Sequence, residues 1–448
     1  MLYTKLNINK YGLLAATLLM LFFTNLSYPQ KIRVLTMNEA ISLAEKNNSD
    51  LVIAKMDKMK ADEKVSEVYS DNLVPSLSLS SNYVRAIKKQ FLQIEFLGFS
   101  QQVSLSTDNA ITNTLNVSEA IPILGTPIFS GIKIAQLYSH LQDESVNQTE
   151  SKVKSDVKKA YLNVLLSKEV IDVNKLSLDN AEENLRVVDA RYKTGIVTEF
   201  DYLRAKVKVS TLKPTLSQSV NNMTLAKKVL KNTIGLKTDE DIDVTGSLTY
   251  DSAEMSGNND NLIKKIVNEN VAIRQLNISK QLNEELVRVD HSSFLPKFYV
   301  FGQYILQALV DDGRPINRYP FGNAINAGIG LTWDLNFFGN SYKKEQSVIE
   351  VKKTDEQIVN VKDKIKTQAE SILLRIEDAR NRIKAQSETI QEAERGLELA
   401  DINFKSGVIN QIDVLDAELT LSQVKLMYIQ AVYDYLIART ELEQLLEK

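Results

Sequence analysis

Apolar residues recur at every seventh position along two long stretches of the chain, residues 146–205 and 358–417. The first set comprises Val146, Val153, Val157, Val164, Ile171, Leu178, Leu185 and Tyr192. The second set comprises Val351, Ile358, Ile365, Ile372, Ile376, Ile383, Ile390, Leu397 and Phe404. One step of four interrupts each set, and a repeat of seven held this long is typical of a coiled-coil seam. Each seam covers roughly 50 residues, which predicts a helical rod of roughly 75 Å.

Both seams end in the same turn, and the two turns lie 212 positions apart. Gly195 and Gly407 follow the last apolar residue of each seam, where helices often end in the left-handed conformation. Six residues after each glycine comes an aspartate, Asp201 or Asp413. Such an aspartate is placed to accept hydrogen bonds from the free N–H groups of the next helix. The sequence therefore predicts two matching helical hairpins.

Four shorter segments have apolar residues at every second position, which is the period of a β-strand. They lie near residues 77–83, 115–121, 298–305 and 327–337. The last segment has the clearest apolar face: Ala327, Ile329, Leu331, Trp333, Leu335 and Phe337. This alternation is typical of a strand between lipid and water, although a strand packed on a soluble core gives the same pattern. The aromatic residues near one strand end favour the membrane.

The order of elements occurs twice along the chain. A helix, two strands and a hairpin are predicted in residues 31–235 and again in residues 261–448, with a connector at 236–260. The connector is rich in Asp, Gly and Ser, and its residues 242–249 are a candidate strand. Residues 85–109 have a mixed pattern that predicts a loop.

The N-terminus, residues 1–30, has the pattern of a secretory signal peptide. Lys5 and Lys10 precede an apolar run of about twelve residues, which is too short to span a bilayer as a helix. An uncleaved membrane anchor is the alternative. No other stretch is a candidate transmembrane helix, so we expect the exported chain to be soluble or inserted as a β-barrel.

The composition argues against several classes of protein. The chain has no cysteine, which excludes disulfides, thiolate metal sites, a cysteine nucleophile and a lipid-modified N-terminal cysteine. Two histidines are too few for a His-rich metal site, and a net charge of −3 gives no reason for a nucleic-acid partner. No catalytic triad or phosphate-binding glycine loop is present. We therefore expect no enzyme activity and no cofactor.

Four strands are too few to close a membrane barrel, because such barrels begin at about eight strands. The chain must then share a barrel with other copies, and a symmetric ring of chains would also cover the flanks of the rods. Three chains would supply about twelve strands, but the strand count alone does not fix the number three.

The repeated order and the hairpin turns, YKTGIVTEFDYLRA and FKSGVINQIDVLDA, resemble the TolC-like outer-membrane efflux protein family. The segment LTWDLNFFG supports this resemblance. The family implies a mainly α fold with a β-barrel portion. In it, coiled-coil hairpins form an α-barrel, and each chain gives four strands to a trimeric twelve-stranded transmembrane β-barrel. It also implies an exit duct in the outer membrane of a Gram-negative bacterium, serving tripartite efflux or type I secretion.

The resemblance also implies partners and a gate. A homotrimer would dock a periplasmic adaptor and an inner-membrane transporter, with its strands against outer-membrane lipid. Asp413 and Asp416 match acidic lumen positions of the family, and Asp201 matches their partner in the first hairpin. The family's latch uses a Tyr and an Arg where this chain has Phe404 and Ile409. We therefore expect packing to hold a closed state. The alternative is that Asp413 only caps its helix and Asp416 is solvated.

The hairpin tips are the candidate docking surface for the adaptor. They comprise Gly195, Ile196, Val197, Gly407, Val408 and Ile409. Exposed apolar side chains at a turn favour a docking role, although they could also simply stabilise the hairpin. For the whole chain, a soluble periplasmic coiled-coil adaptor or structural protein is the alternative function.

Overall fold

The computed structural model describes residues 33–96, 98–122, 127–236, 241–251, 259–311 and 313–446. The predicted signal peptide lies outside the described residues. The helices are α1 (Met37–Asn47), α2 (Ser49–Leu73), α3 (Ile128–Lys193), α4 (Glu199–Thr233), α5 (Asn259–Glu269), α6 (Val271–Ser292), α7 (Phe337–Lys405) and α8 (Gln411–Leu446). The strands are β1 (Arg33–Leu35), β2 (Ser76–Arg85), β3 (Phe91–Phe96), β4 (Phe99–Ser104), β5 (Asn109–Ala120), β6 (Ile242–Val244), β7 (Lys297–Val310) and β8 (Gly322–Thr332).

The four predicted strands form one antiparallel sheet in the order β2-β5-β7-β8. One row of the register runs from Leu79 to Leu115 and Tyr304, and ends at Ile325. The prediction that the last strand continues to Phe337 is wrong, because β8 ends at Thr332. Asn336 instead accepts a hydrogen bond from the N–H of Gly339 at 3.1 Å, and this contact starts α7.

The prediction of a loop over residues 85–109 is also wrong. Strands β3 and β4 pair as an antiparallel hairpin within this segment, with Leu92 opposite Val103. Gly98 in the connecting turn has a φ of +83°, which glycine adopts without steric cost. Each of these strands has six residues, which is too few for a period of two to be recognised in the sequence.

The two hairpins are confirmed. Helices α3 and α7 run unbroken for 66 and 69 residues, and α4 and α8 return for 35 and 36 residues. Helix α4 continues through Pro214. The seam residues Val153, Val157 and Val164 are all buried within the chain, as a coiled-coil seam requires.

Each of the short helices predicted before the strands is divided in two. Asn48 separates α1 from α2, and Asn270 separates α5 from α6. The Asn270 side chain accepts a hydrogen bond from the N–H of Ala272 at 2.9 Å and so caps α6. Asparagine offers the backbone this alternative to a continuous helix.

The chain divides into two compact units. The first comprises the described residues of 1–49, 152–255 and 372–442, and the second comprises those of 50–151, 256–371 and 443–448. The first unit contains both hairpin tips, and the second contains the four-stranded sheet. In the part of the chain that the structure describes, no helix is both long and apolar enough to cross a membrane.

In the first unit, β1 and β6 pair in parallel, and this pairing holds residues 33–35 against the connector. The predicted connector strand is therefore present, although it is shorter than residues 242–249. The buried Tyr161 of α3 directs its hydroxyl at the carbonyl oxygens of Leu35 and Thr245, at 2.9 and 2.6 Å. This contact ties the long rod to the small sheet.

Side-chain contacts tie the helices of the first unit to one another. Ser177 of α3 lies 2.7 Å from Ser422 of α8, hydroxyl to hydroxyl. Glu441 of α8 accepts hydrogen bonds from Lys159 of α3 and Arg375 of α7. Burial acts to raise the pKa of Glu441, but these hydrogen bonds outweigh it and hold that pKa below its ordinary value. Glu441 therefore joins three helices as a carboxylate.

Candidate functional site

Both hairpin tips close through the same hydrogen-bonded turn. In the first, the N–H of Ile196 donates to the carbonyl of Arg191, and that of Gly195 to Tyr192, both at 2.9 Å. In the second, Val408 and Gly407 repeat these two bonds 212 positions later. The φ angles of Gly195 and Gly407 are +75° and +77°. This arrangement is the Schellman motif, which confirms the predicted left-handed glycine at each helix end.

The aspartates Asp201 and Asp413 begin the returning helices. Asp201 accepts hydrogen bonds from the hydroxyl and the N–H of Thr198, at 2.7 and 3.3 Å. Asp413 accepts from the N–H of Asn410 at 3.0 Å. Each carboxylate thus satisfies a backbone donor ahead of the first turn, as a capping box does. Asp413 therefore takes part in capping, but it accepts from the N–H of Asn410 before α8 and not, as predicted, from the free N–H groups of the helix itself. A gate role remains a prediction.

Asp416 lies one turn further along α8. Its side chain is exposed, like that of Asp413, whereas Asp201 is half-buried. The two exposed carboxylates are three residues apart, so they lie on one face of the helix. A single chain therefore presents a pair of negative charges directly beside one tip.

The tips themselves are apolar and open. Ile196 and Val408, which occupy equivalent positions, are 71% and 72% exposed. The next residues, Val197 and Ile409, are half-buried. In each hairpin tip, therefore, one apolar side chain is half-buried and the other is open to solvent.

Contacts between the two hairpins near the tips were not predicted from the sequence. The guanidinium carbon of Arg191 lies 4.6 Å from the centroid of the Phe404 ring, which is a cation–π distance. The buried Gln411 side chain donates to Asn184 Oδ1 at 2.7 Å. These residues are more than 200 positions apart, and no local pattern connects them. The Phe404 ring thus contributes to the packing between the two hairpins.

A half-buried carboxylate lies further along the paired hairpins. Burial raises the pKa of Glu418 on α8 above its ordinary value. The nearby Lys208 of α4 opposes this rise, and Asp401 of α7 adds to it. The surroundings of Glu418 therefore favour its protonated, neutral form more than water does.

The four-stranded sheet has one apolar and one polar face. Residues on the apolar face include Leu77, Leu79, Leu115, Val117, Val300, Tyr304, Ile325, Ala327, Ile329 and Leu331. The polar face carries mainly Ser, Thr, Asn, Gln and Gly. The alternation predicted for β8 therefore extends across all four strands, and large apolar side chains such as Leu79 and Ile325 are exposed in the isolated chain.

The profile of the family described as outer membrane efflux protein matches residues 40–236 and 262–447. The chain belongs to the outer membrane efflux protein family. This efflux protein is 21% identical over 405 residues to the outer membrane protein TolC of Salmonella enteritidis, covering 88% of this chain and 78% of the relative. It is 23% identical over 341 residues to the cobalt-zinc-cadmium resistance protein CzcC of Cupriavidus metallidurans, covering 75% and 77%.

Solved structures show the same fold. The efflux protein superposes on CusC with a TM-score of 0.73 at 15% identity, over 92% of this chain and 91% of that one. It superposes on VceC from Vibrio cholerae with a TM-score of 0.70 at 14% identity, over 92% and 94%. The predicted fold class, with long helical hairpins and a strand portion, is confirmed. The efflux protein is an outer-membrane channel with its helical part in the periplasm, and the soluble adaptor is not supported.

Proposed function

We propose that three copies of this chain form one continuous passive duct. Their twelve strands close a barrel in the outer membrane, and their hairpins form a tunnel through the periplasm. The observation that carries this proposal is the four-stranded sheet with two open edges, β2 and β8, and an exposed apolar face. For a single chain, the apolar face is unfavourable in water and the open edges are unfavourable in lipid.

The open edges require neighbours. A strand edge in a bilayer leaves backbone N–H and C=O groups without partners, at a cost of several kcal/mol for each group. Pairing β8 of one copy with β2 of the next removes both edges at once. A ring of three copies, with about twelve strands, is within the size range of membrane barrels.

The helical rods support the same assembly. On α4, the returning helix of the first hairpin, the apolar Val207 and Leu225 are exposed. On α7 of the second hairpin, Leu374 and Ile402 are exposed as well. Apolar side chains on two rod flanks favour contact with the rods of neighbouring copies.

The open tips provide the connection to the rest of an export system. Ile196 and Val408 would dock a periplasmic adaptor, which would couple the duct to an inner-membrane transporter. Their equivalent positions in the two hairpins give each trimer six such side chains, arranged as three symmetry-related pairs. The duct itself supplies no energy and performs no reaction.

Disulfides between β2 and β8 test the assembly, and the chain has no native cysteine to interfere. In each double variant, one cysteine replaces Ser78 or Ser80 in β2, and the other replaces Ala324, Asn326 or Gly328 in β8. Within one chain these edges lie three strand spacings apart, about 14 Å, which exceeds the ~7 Å Cα separation that a disulfide spans. We expect at least one pair to give covalent dimers and trimers on a non-reducing gel.

The matched control places both cysteines on paired inner strands, Thr114→Cys with Ile305→Cys, which face each other within the chain. This variant should form a disulfide yet migrate as a monomer. Monomers from all six edge pairs, or a ladder that continues beyond three chains, would contradict the closed ring of three.

The gate proposal concerns Asp413 and Asp416. In a trimer they would place six carboxylates at one constriction and favour cations there. We expect Asp413→Asn with Asp416→Asn to reduce the cation-to-anion permeability ratio several-fold in planar bilayers. Asparagine keeps the capping acceptor at position 413, so the turn should remain intact.

The control for the gate also removes two carboxylates per chain, but at other positions, through Glu183→Gln with Glu398→Gln. These carboxylates already pair with Arg186 and Arg395, both at 2.6 Å. Their loss should leave the permeability ratio nearly unchanged. An equal change in both double variants would show that net charge, and not the tip, sets the selectivity.

A further inference from the structure

The polar face of the sheet is almost free of charge. Its hydroxyl and amide residues are Ser76, Ser78, Ser80, Asn82, Thr112, Thr114, Asn116, Ser118, Gln303, Gln307, Asn326 and Thr332. Lys297, the first residue of β7, is the only charged residue at the strand positions of this face. Under the proposed function this face is the wall of the lumen.

Two aromatic rings lie on this uncharged wall. Tyr299 and Phe301, neighbours on the polar face of β7, reach across to β8 over Gly330 and Gly328. A Cβ at position 328 would lie 2.9 Å from the Cζ of Phe301, and one at position 330 would collide with the Tyr299 ring. The glycines thus make room for the rings to lie along the sheet. The ring centroids are 6.0 Å apart, and Tyr299 is 36% exposed.

The same rings line a groove of about 480 Å³ at the end of the sheet nearest α2. Asn116, Gln303 and Ser118 lie in it beside the rings, and Asp71 also belongs to its lining. Aromatic rings, amides and hydroxyls thus converge within one groove. Its volume is within the ~300–1,000 Å³ usual for small-molecule sites.

This combination suits a neutral, hydroxyl-rich molecule. The faces of sugar rings present C–H groups with partial positive charge, which stack on the negative face of an aromatic ring. Sugar hydroxyls both donate and accept, so the amides and hydroxyls of the groove can both satisfy them. An uncharged wall offers an ion little in exchange for its hydration.

We propose that the groove around Tyr299 and Phe301 binds neutral oligosaccharides, and that this section of the duct conducts neutral, hydroxyl-rich cargo. The inference rests on the proposed function, because it needs the polar face to line a lumen. In a trimer the six rings would form an aromatic collar at one end of the barrel. Cargo would then be recognised by stacking and hydrogen bonding.

Saturation-transfer NMR, with maltohexaose as the probe, tests directly whether the groove binds a neutral oligosaccharide. The full-length protein is studied in a detergent without a sugar headgroup, and light scattering on the same sample reports whether three chains are present. We expect transfer to the C–H protons of maltohexaose. Tyr299→Leu with Phe301→Leu, which keeps the apolar bulk and removes the rings, should weaken binding at least tenfold. Gln303→Leu should weaken it less.

The matched control is Tyr304→Leu, which removes a ring from the apolar face of the same strand and should leave binding unchanged. Trimers that give no transfer, or equal binding by all variants, would overturn the inference and leave the duct intact. Transfer only to a cationic probe, benzyltrimethylammonium, would also overturn it. Samples without trimers would instead count against the proposed function.

Discussion

Ile329→Arg in β8 is expected to abolish the assembled protein in the outer membrane. In the isolated chain Ile329 is 73% exposed, so a protein with water at this face would tolerate the change. In a barrel, however, the side chain faces the hydrocarbon, where an arginine near the midplane costs about 2–4 kcal/mol. Three copies would then lose about 6–12 kcal/mol together.

The control lies three residues away on the other face of the same strand. Asn326→Arg places the same side chain on the polar face, where water would solvate it, and should leave assembly nearly intact. The measurement is the amount of trimer extracted from the outer-membrane fraction, separated on a gel without heating. Equal amounts of trimer from both variants would contradict the assignment of the apolar face to lipid and of the polar face to water.

Gly235→Ala is expected to destabilise the first unit by at least about 3 kcal/mol. Gly235 follows α4 with a φ of +71°, which already disfavours a side chain. An added Cβ would also collide with the backbone carbonyl of Asn47 at the end of α1, 2.6 Å from its carbon. The backbone there is held, because the Asn48 side chain donates to the carbonyl of Thr233 at 2.8 Å.

Gly195→Ala is the matched control, since its φ of +75° is nearly the same and no atom lies within 4 Å of the added Cβ. It should cost only the strain of a left-handed alanine, about 1–2 kcal/mol. The two variants are compared by the loss of helical circular dichroism on heating. A shift for Gly235→Ala no larger than that for Gly195→Ala would show that α1 moves aside freely.

The elements that the sequence predicts correctly are those with long or repeated patterns. The seams through Val157 and Ile372 persist over many heptads, and the turns at Gly195 and Gly407 depend on hydrogen bonds within six residues. The β3–β4 hairpin was missed because its strands have six residues each, too few for a period to stand out. The breaks at Asn48 and Asn270 depend on single side chains.

The candidate site was predictable only where its geometry is local. The capping by Asp201 and Asp413 follows from the spacing after each glycine. The contact of Arg191 with Phe404 joins two hairpins, so it depends on how the whole first unit packs. The gate and the lumen wall depend on several copies together, and no pattern within one chain specifies how many copies meet.

The mass of the assembled protein tests the central claim most directly. The full-length chain, expressed with its N-terminal segment, would be extracted from the outer-membrane fraction in mild detergent and measured by light scattering with the detergent subtracted. The duct predicts a protein mass of three chains of at most 50.5 kDa each, the mass of the whole sequence. A monomer or dimer that is absent from the membrane fraction would contradict it.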